Sequence, residues 1–359
     1  MSLSQLASLD ARRICIIKPS ALGDIVQSLP LLSPLRTRFP EAEISWVVNR
    51  GLSGILADHP DLHQVIPFDR HGGLSSWGKL LRQLHAARFD VVMDLQGLLR
   101  TGVMCAATRA PIRIGLETAR EGAGVACNVK IPGTGRLMPA HARYWRVAEA
   151  FGVGDASRQL QLSFSDADVS AAARLLDGLP RPLIAIHPGA RWVTKRWPTE
   201  KFAEVACAAI SENAAGIVVL GSGDEASLAA DVESRIVAAT GTANNVRNLA
   251  GQTSLKELAA VLQSVDMVVS NDSGPMHLAA ELGTPVVGIF TCTDPVRSGP
   301  PGSQHQLVST CVSCAGSYQK ICPHRGAEQM ACLRELSSQR VMDAVRIVMS
   351  RNDLPARLA

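Results

Sequence analysis

Apolar runs of strand length alternate with amphipathic runs of helix length almost from end to end of this chain. This alternation narrows the fold further than any other feature. Parallel strands need crossover helices, so a chain that repeats strand and helix in this way builds open sheets covered on both faces. In the first half the strand candidates are RICIIK, AEISWVV, FDVVMDL and PIRIG, with helices after Gly23, around Trp77–Ala87, after Gly97 and at Ala140–Phe151. A second series starts at PLIAIHPG and continues through GIVVLGSG, NVRNLAG, VDMVVSNDSG and TPVVGIF. Between these, TEKFAEVACAAISEN sets Phe202, Val205, Ala206 and Ala209 at the i, i+3, i+4, i+7 spacing of one buried helical face.

The expected architecture is α/β, with two consecutive doubly wound, Rossmann-like domains over residues 1–178 and 179–359. The length of 359 residues suits two cores better than one. The join falls at Gly178-Leu179-Pro180-Arg181-Pro182, a short Gly/Pro stretch after a helix-like run. Two such halves facing a central cleft would present ligand-binding loops at the carboxyl ends of both sheets. The last helix-like run, SSQRVMDAVRIVMS, is expected to close the structure, and its partner half, the N-terminal domain included, is left open by the sequence.

Composition removes several function classes. Hydrophobic residues make up 47% and charged residues 19%, a globular balance. Aromatics are 4%, too few for single-strand stacking platforms, and the Lys and Arg residues are dispersed, so no nucleic-acid partner is expected. A net charge of +4 suits an anionic substrate or an anionic membrane surface. The start, MSLSQLASLDARR, lacks the basic head and apolar core of a signal peptide, and no run approaches the roughly 20 apolar residues of a spanning helix. The expectation is a cytoplasmic protein, peripheral at most.

Two strand-to-helix loops of the second half carry phosphate chemistry. After VDMVVS come Asn271, Asp272, Ser273 and Gly274, then Pro275 at the expected first helical position and His277 one turn in. Free N–H groups at a helix start attract phosphate, and capping by Asp272 or Ser273 would not by itself require His277. In PGARWVTKRWP, Lys195 and Arg196 lie between Trp192 and Trp197, where a held cation could neutralise a departing diphosphate without a metal. Gly221–Ala226 formally fits G-x-G-x-x-A, but the acid expected about 20 residues on is missing, so a dinucleotide oxidoreductase is weakly supported. Glu225 reads better as an acceptor for a ribose hydroxyl.

In the first half, loops after strands bring Asp24, then Asp94, Gln96 and Arg100, then Arg120 and Glu121 to the cleft edge, and Arg70 follows VIPFD. Several arginines on one cleft suit an anionic acceptor, since Arg binds carboxylate and phosphate bidentately. Asp24 could accept a proton from an attacking hydroxyl. With Gln27 three residues on, it also resembles a capping box, and spacing alone favours that plainer reading. A non-catalytic binder of a phosphorylated ligand would keep Lys195 and the Asp272 loop but would not need Asp24.

Taken in order, SALGDIVQSLPLL, DLQGLLRTG, ETARE, PGARWVTKRWP, NDSGPMHLAAELGTPVVGIF and TDP resemble glycosyltransferase family 9, the lipopolysaccharide heptosyltransferases, over nearly the whole chain. ETARE is similar to the heptosyltransferase I branch, and PGARWVTKRWP to heptosyltransferase II or the broader family. The resemblance implies a GT-B fold and inverting transfer of L-glycero-D-manno-heptose from ADP-heptose to Kdo of a Kdo-lipid A acceptor at the anionic inner-membrane surface. It implies no metal or other cofactor. Residues 1–178 would bind acceptor and 179–359 the nucleotide sugar. By position, Asp24 becomes the general base, Lys195 the donor-phosphate cation, Glu225 a ribose contact and Asp272 a heptose contact. Ser273, Gly274 and His277 become the diphosphate cradle, and Arg70, Arg100 and Arg120 acceptor contacts. Arg100 stands where Lys is frequent, and Cys292 where the family often has Gly-Pro before Thr-Asp-Pro.

Of the nine cysteines, Cys15, Cys105, Cys127, Cys207 and Cys292 sit in apolar contexts and read as core fillers. Cys311, Cys314, Cys322 and Cys332, with His324 nearby, could supply tetrahedral zinc. Thiol packing or an occasional disulfide ranks first for this group, structural zinc second and catalytic zinc a distant third.

Overall fold

The computed structural model describes residues 3–352, as two compact units divided between Ser163 and Phe164. The first holds β1 (Arg13–Ile17), β2 (Glu43–Asn49), β3 (Gln64–Phe68), β4 (Val91–Asp94), β5 (Ile112–Leu116) and β6 (Val129–Ile131), in the order β3-β2-β1-β4-β5-β6. The second holds β7 (Leu183–His187), β8 (Gly216–Val219), β9 (Val246–Asn248), β10 (Met267–Asn271), β11 (Val286–Phe290) and β12 (Gln306–Ser309), in the order β12-β11-β10-β7-β8-β9. All pairings are parallel. Counted within its own unit, each sheet has the doubly wound order 3-2-1-4-5-6. Winding reverses between β1 and β4 and again between β7 and β10. Loops leaving those strands diverge there and open a crevice at the carboxyl ends.

The central strands are buried along their length, which is why they read as unbroken apolar runs: Ile14 to Ile17 of β1, and all of β4, β7, β10 and β11. The alternation does not pick out β6 or β12. Both are edge strands; β6 has 3 residues and β12 is half-buried throughout, so neither carries much apolar signal. Pro67 is accommodated because β3 is also an edge.

The helix Thr199–Asn213 buries Phe202, Val205, Ala206 and Ala209 as the periodicity predicts. The helix Asp166–Leu176, capped by the Ser165 hydroxyl accepting the Asp168 N–H, packs on the helix Leu255–Ser264 of the second unit. The Gly178–Pro182 stretch is the turn from that helix into β7. The final helix, Ser338–Asn352, lays Val341, Met342, Ala344, Val345 and Val348 into the core of the second unit. Among the described residues no helix is long and apolar enough to cross a membrane.

Candidate active site

In the second unit, three loops meet at the β7/β10 crevice. The chain leaves β10 through Asp272 and Ser273 and enters the helix Gly274–Glu281, with Pro275 as its second residue. Ser273 occupies the cap position but its side chain does not cap the helix; its Oγ pairs with Ser270 Oγ at 3.0 Å and with His187 Nδ1 at 3.2 Å. First-turn N–H groups thus keep their capacity to meet an anion.

Asp272 is buried, and its Oδ2 accepts a hydrogen bond from Lys195 Nζ at 2.6 Å. Its Oδ1 lies 3.7 Å from His277 Nε2. Burial alone would push this carboxyl up; contact with His277 and the Lys195 charge outweigh burial and hold it at about 2. Asp272 is therefore a fixed anion at neutral pH. The buried Nδ1 of His277 has no hydrogen-bond partner among the described residues.

Lys195 is delivered by a short turn, Val193–Lys195, that is pinned on several sides. Thr194 O accepts from Thr291 Oγ1 at 2.7 Å, Thr194 Oγ1 donates to Gln319 O at 2.7 Å, and the Trp192 ring lies 4.8 Å from Lys195 Nζ. The Asn271 side chain ties both ends of the loop to β10: Nδ2 donates to Pro188 O at 2.7 Å, and Oδ1 accepts the Trp197 N–H at 3.1 Å.

Glu225 joins from the turn after β8. Its Oε2 accepts from Ser222 N and Ser222 Oγ, each at 3.0 Å, and lies 3.5 Å from Nε2 of the buried His187. Burial pushes Glu225 up, but His187 and Ser222 hold it at about 2. A β-carbon on Gly189 would stand 2.1 Å from Glu225 Oε1, so this approach requires glycine. Glu225, His187 and Ser273 thus form one polar chain across the loops after β8, β7 and β10.

The first unit builds its own cluster at the β1/β4 crevice. The helix Leu22–Ser28 starts at Leu22, which makes Asp24 its third residue, not its cap; Asp24 Oδ2 accepts the Ala21 N–H at 3.4 Å. Oδ1 accepts the Tyr144 hydroxyl at 2.8 Å and lies 3.6 Å from Lys18 Nζ. Lys18 is buried and also donates to Leu95 O at 3.3 Å. Burial lowers its pKa, against the opposing pull of Asp24 and Asp94.

Asp94 is buried and organises its loop. It accepts N–H bonds from Gln96 at 3.0 Å and Gly97 at 2.9 Å, and the Thr101 hydroxyl at 2.9 Å. Gly97, at φ +66°, carries the close approach of the ETARE loop: its β-carbon would stand 2.8 Å from Ala119 Cα. Arg120 N donates to Gly97 O at 2.9 Å, and Glu121 accepts the Leu99 N–H at 3.2 Å.

The sequence-predicted residues therefore fall into two groups, one per unit. Lys195, Glu225, Asp272, Ser273, Gly274 and His277 share the β7/β10 crevice. Asp24 lies at the β1/β4 crevice, with half-buried Arg100 and exposed Arg120 on the adjoining loops. Arg70 is exposed in the turn after β3, two strands from β1 in the sheet, about 10 Å across the strands. Sequence reasoning missed Lys18, Tyr144, His187 and Asn271. A lysine closing a buried strand was the available signal for Lys18; Tyr144 meets Asp24 across 120 residues, which no local pattern records.

Cys311, Cys314, Cys322 and Cys332 are free thiols. Among the described residues no group of three or more His, Cys, Asp or Glu is placed to hold a metal ion. Burial pushes the Cys332 thiol up to about 11. Cys292 is buried and donates to Thr194 Oγ1 at 3.3 Å, beside the Lys195 turn.

Comparison with known proteins gives the family. Residues 77–327 match the model of glycosyltransferase family 9 (heptosyltransferase). The lipopolysaccharide core heptosyltransferase OpsX of Haemophilus influenzae is 30% identical over 302 residues, 83% of this chain and 84% of that protein. Lipopolysaccharide heptosyltransferase 1 of Pseudomonas aeruginosa is 26% identical over 362 residues, 93% and 94% of the two chains. The structure of the Escherichia coli ADP-heptose LPS heptosyltransferase II superposes with a TM-score of 0.75 at 24% identity, covering 95% of this chain and 99% of that one. The chain belongs to glycosyltransferase family 9, the heptosyltransferases.

Proposed function

We propose that this enzyme transfers L-glycero-D-manno-heptose from ADP-heptose to Kdo of the lipopolysaccharide inner core, with inversion at the anomeric carbon. The observation that carries the reading is half-buried Lys195 held against buried Asp272 and His277 at the start of the helix Gly274–Glu281 in a heptosyltransferase chain. A held ammonium beside a helix N-terminus suits a diphosphate. Lys195 neutralises the charge that develops on departing ADP. The N–H groups at Ser273 and Gly274, with His277, cradle the diphosphate, Asp272 contacts the heptose hydroxyls, and Glu225 accepts from the ribose.

On the acceptor side, Asp24 is the base. As the acceptor oxygen bonds the anomeric carbon, its O–H proton passes to the Asp24 carboxylate. The bond from that carbon to the diphosphate oxygen breaks, and the electron pair leaves on ADP. One displacement with one base inverts, and no second carboxylate nucleophile is required. Arg100 and Arg120, and more distantly Arg70, contact the anionic Kdo-lipid A acceptor, which the protein meets at the cytoplasmic face of the inner membrane. The names of the relatives support this reading: a core heptosyltransferase, a heptosyltransferase 1 and an ADP-heptose heptosyltransferase II.

ADP release from ADP-heptose should require a Kdo-bearing lipid, and product mass should report one added heptose. Asp24→Ala should nearly abolish turnover while leaving donor affinity intact; full activity in that variant would remove the base. The PGARWVTKRWP loop favours a second reading, a heptosyltransferase II-type acceptor, and the same product-mass assay with heptosylated acceptors separates the two. Because Lys195 supplies the neutralising charge, turnover should be unchanged in EDTA; loss restored by a divalent cation would overturn that assignment.

A further inference from the structure

We propose that Tyr144 is a positioning residue for the reaction: its hydroxyl fixes and tunes the Asp24 carboxylate, with Lys18 as the second holder of the same oxygen. The inference rests on the reading of Asp24 as base. Tyr144 comes from the helix Ala140–Ala150, is buried, and donates to Asp24 Oδ1 at 2.8 Å. Lys18 Nζ stands 3.6 Å from that same oxygen and 5.0 Å from the centre of the Tyr144 ring. Two side chains from different elements thus converge on one carboxylate oxygen, and Lys18 is anchored in addition: its Nζ donates to Leu95 O, and its carbonyl accepts from Trp46 Nε1 at 3.2 Å. Oδ2, which accepts the longer Ala21 N–H bond at 3.4 Å, is the oxygen assigned to take the proton from the acceptor hydroxyl.

The electrostatic surroundings keep Tyr144 in the donor role. Burial first, and then the Asp24 charge, push its phenol well above the usual value, so it stays protonated across the working pH range. Lys18 feels Asp24 and Asp94 on one side and Arg143 on the other, and Arg143 also acts on Tyr144. The helix that carries Tyr144 also carries His141. A donor to the charged form of an acid lowers its pKa. Tyr144 thus donates to the charged form of Asp24 and holds the carboxylate at one angle.

The test is the pH dependence of kcat with ADP-heptose and a Kdo-bearing acceptor, with Asp24→Asn as the reference for the base. Tyr144→Phe should lower kcat about ten-fold, leave the KM for ADP-heptose within about two-fold, and move the acidic limb upward by about half a unit to one unit. The chain has 2 tyrosines, so 3-fluorotyrosine incorporated in a Tyr318→Phe background labels position 144 alone. This stronger donor should move the limb downward relative to unlabelled Tyr318→Phe, and it keeps the test open if Tyr144→Phe fails to fold. Opposite shifts support the positioning role. An acidic limb that stays in place in the fluorotyrosine enzyme, with Asp24→Asn inactive, overturns it and leaves the base intact. Full activity in Asp24→Asn removes the base itself.

Discussion

At the scale of single residues, the contacts of Asp272 with His277 and Lys195 set a pH signature. Asp272 is held at about 2 against an ordinary 3.8, so the folded state holds its proton more weakly than the unfolded chain. The stabilisation is present above about pH 4 and is lost as pH falls toward about 2. Urea unfolding of wild type and Asp272→Asn should therefore differ most near neutrality, with the gap narrowing from about pH 5 down to about pH 2. A gap independent of pH would mean that the carboxylate is not held by Lys195 and His277. Lys195→Ala should cut ADP release about 10²- to 10³-fold, as loss of one charge-stabilising group does elsewhere, without raising the acceptor KM; unchanged kinetics would sink its role. Asp272, Lys195 and His277 were legible one by one, because Asp272 and Lys195 stand in loops after apolar runs and His277 lies one turn into the helix that follows the Asp272 loop. Their mutual distances were not, since Lys195 and Asp272 are 77 residues apart.

At the scale of elements, the loop from Pro188 to Trp197 is built as a clamp closed by Asn271 and by the buried Trp197 indole. Trp197 Nε1 donates to Leu336 O at 3.0 Å, and its ring meets Phe202 edge-on at 5.0 Å. Trp197→Ala removes that anchor and leaves a cavity, and should cost about 3–5 kcal/mol in urea titrations. A cost below about 1 kcal/mol would show that the loop is held without it. The helix Thr199–Asn213 and the central strands were readable because burial on both faces, or on one helical stripe, forces apolar residues into a fixed period. The start of the helix Leu22–Ser28 was not: the cap position is Ala21, and Asp24 stands at the third helical position, where its side chain accepts the Ala21 N–H without itself being the cap residue. Spacing records where an acid can cap, and the backbone geometry decides where the helix begins.

At the scale of the whole molecule, two units of the same sheet order each have their own hydrophobic core. If ADP binds as proposed, hydrogen exchange should slow at His187–Lys195, Ser222–Glu225 and Asn271–His277, while the amides of β1 and β4 are unaffected by ADP alone. Protection confined to the first unit would reverse the division of labour. The sequence by itself determined the two parallel sheets, the helices that cover them, the loops that carry the candidate residues and the family, because strand and helix periods and ordered short motifs are local properties of a chain. Only the tertiary structure decided that Glu225, His187 and Ser273 form one chain, that Lys195 is pinned through Thr194 and Asn271, and that Tyr144 and Lys18 hold one oxygen of Asp24. These contacts join loops that follow different strands, and their geometry is set by sheet order and by the packing of buried side chains, which no stretch of sequence contains.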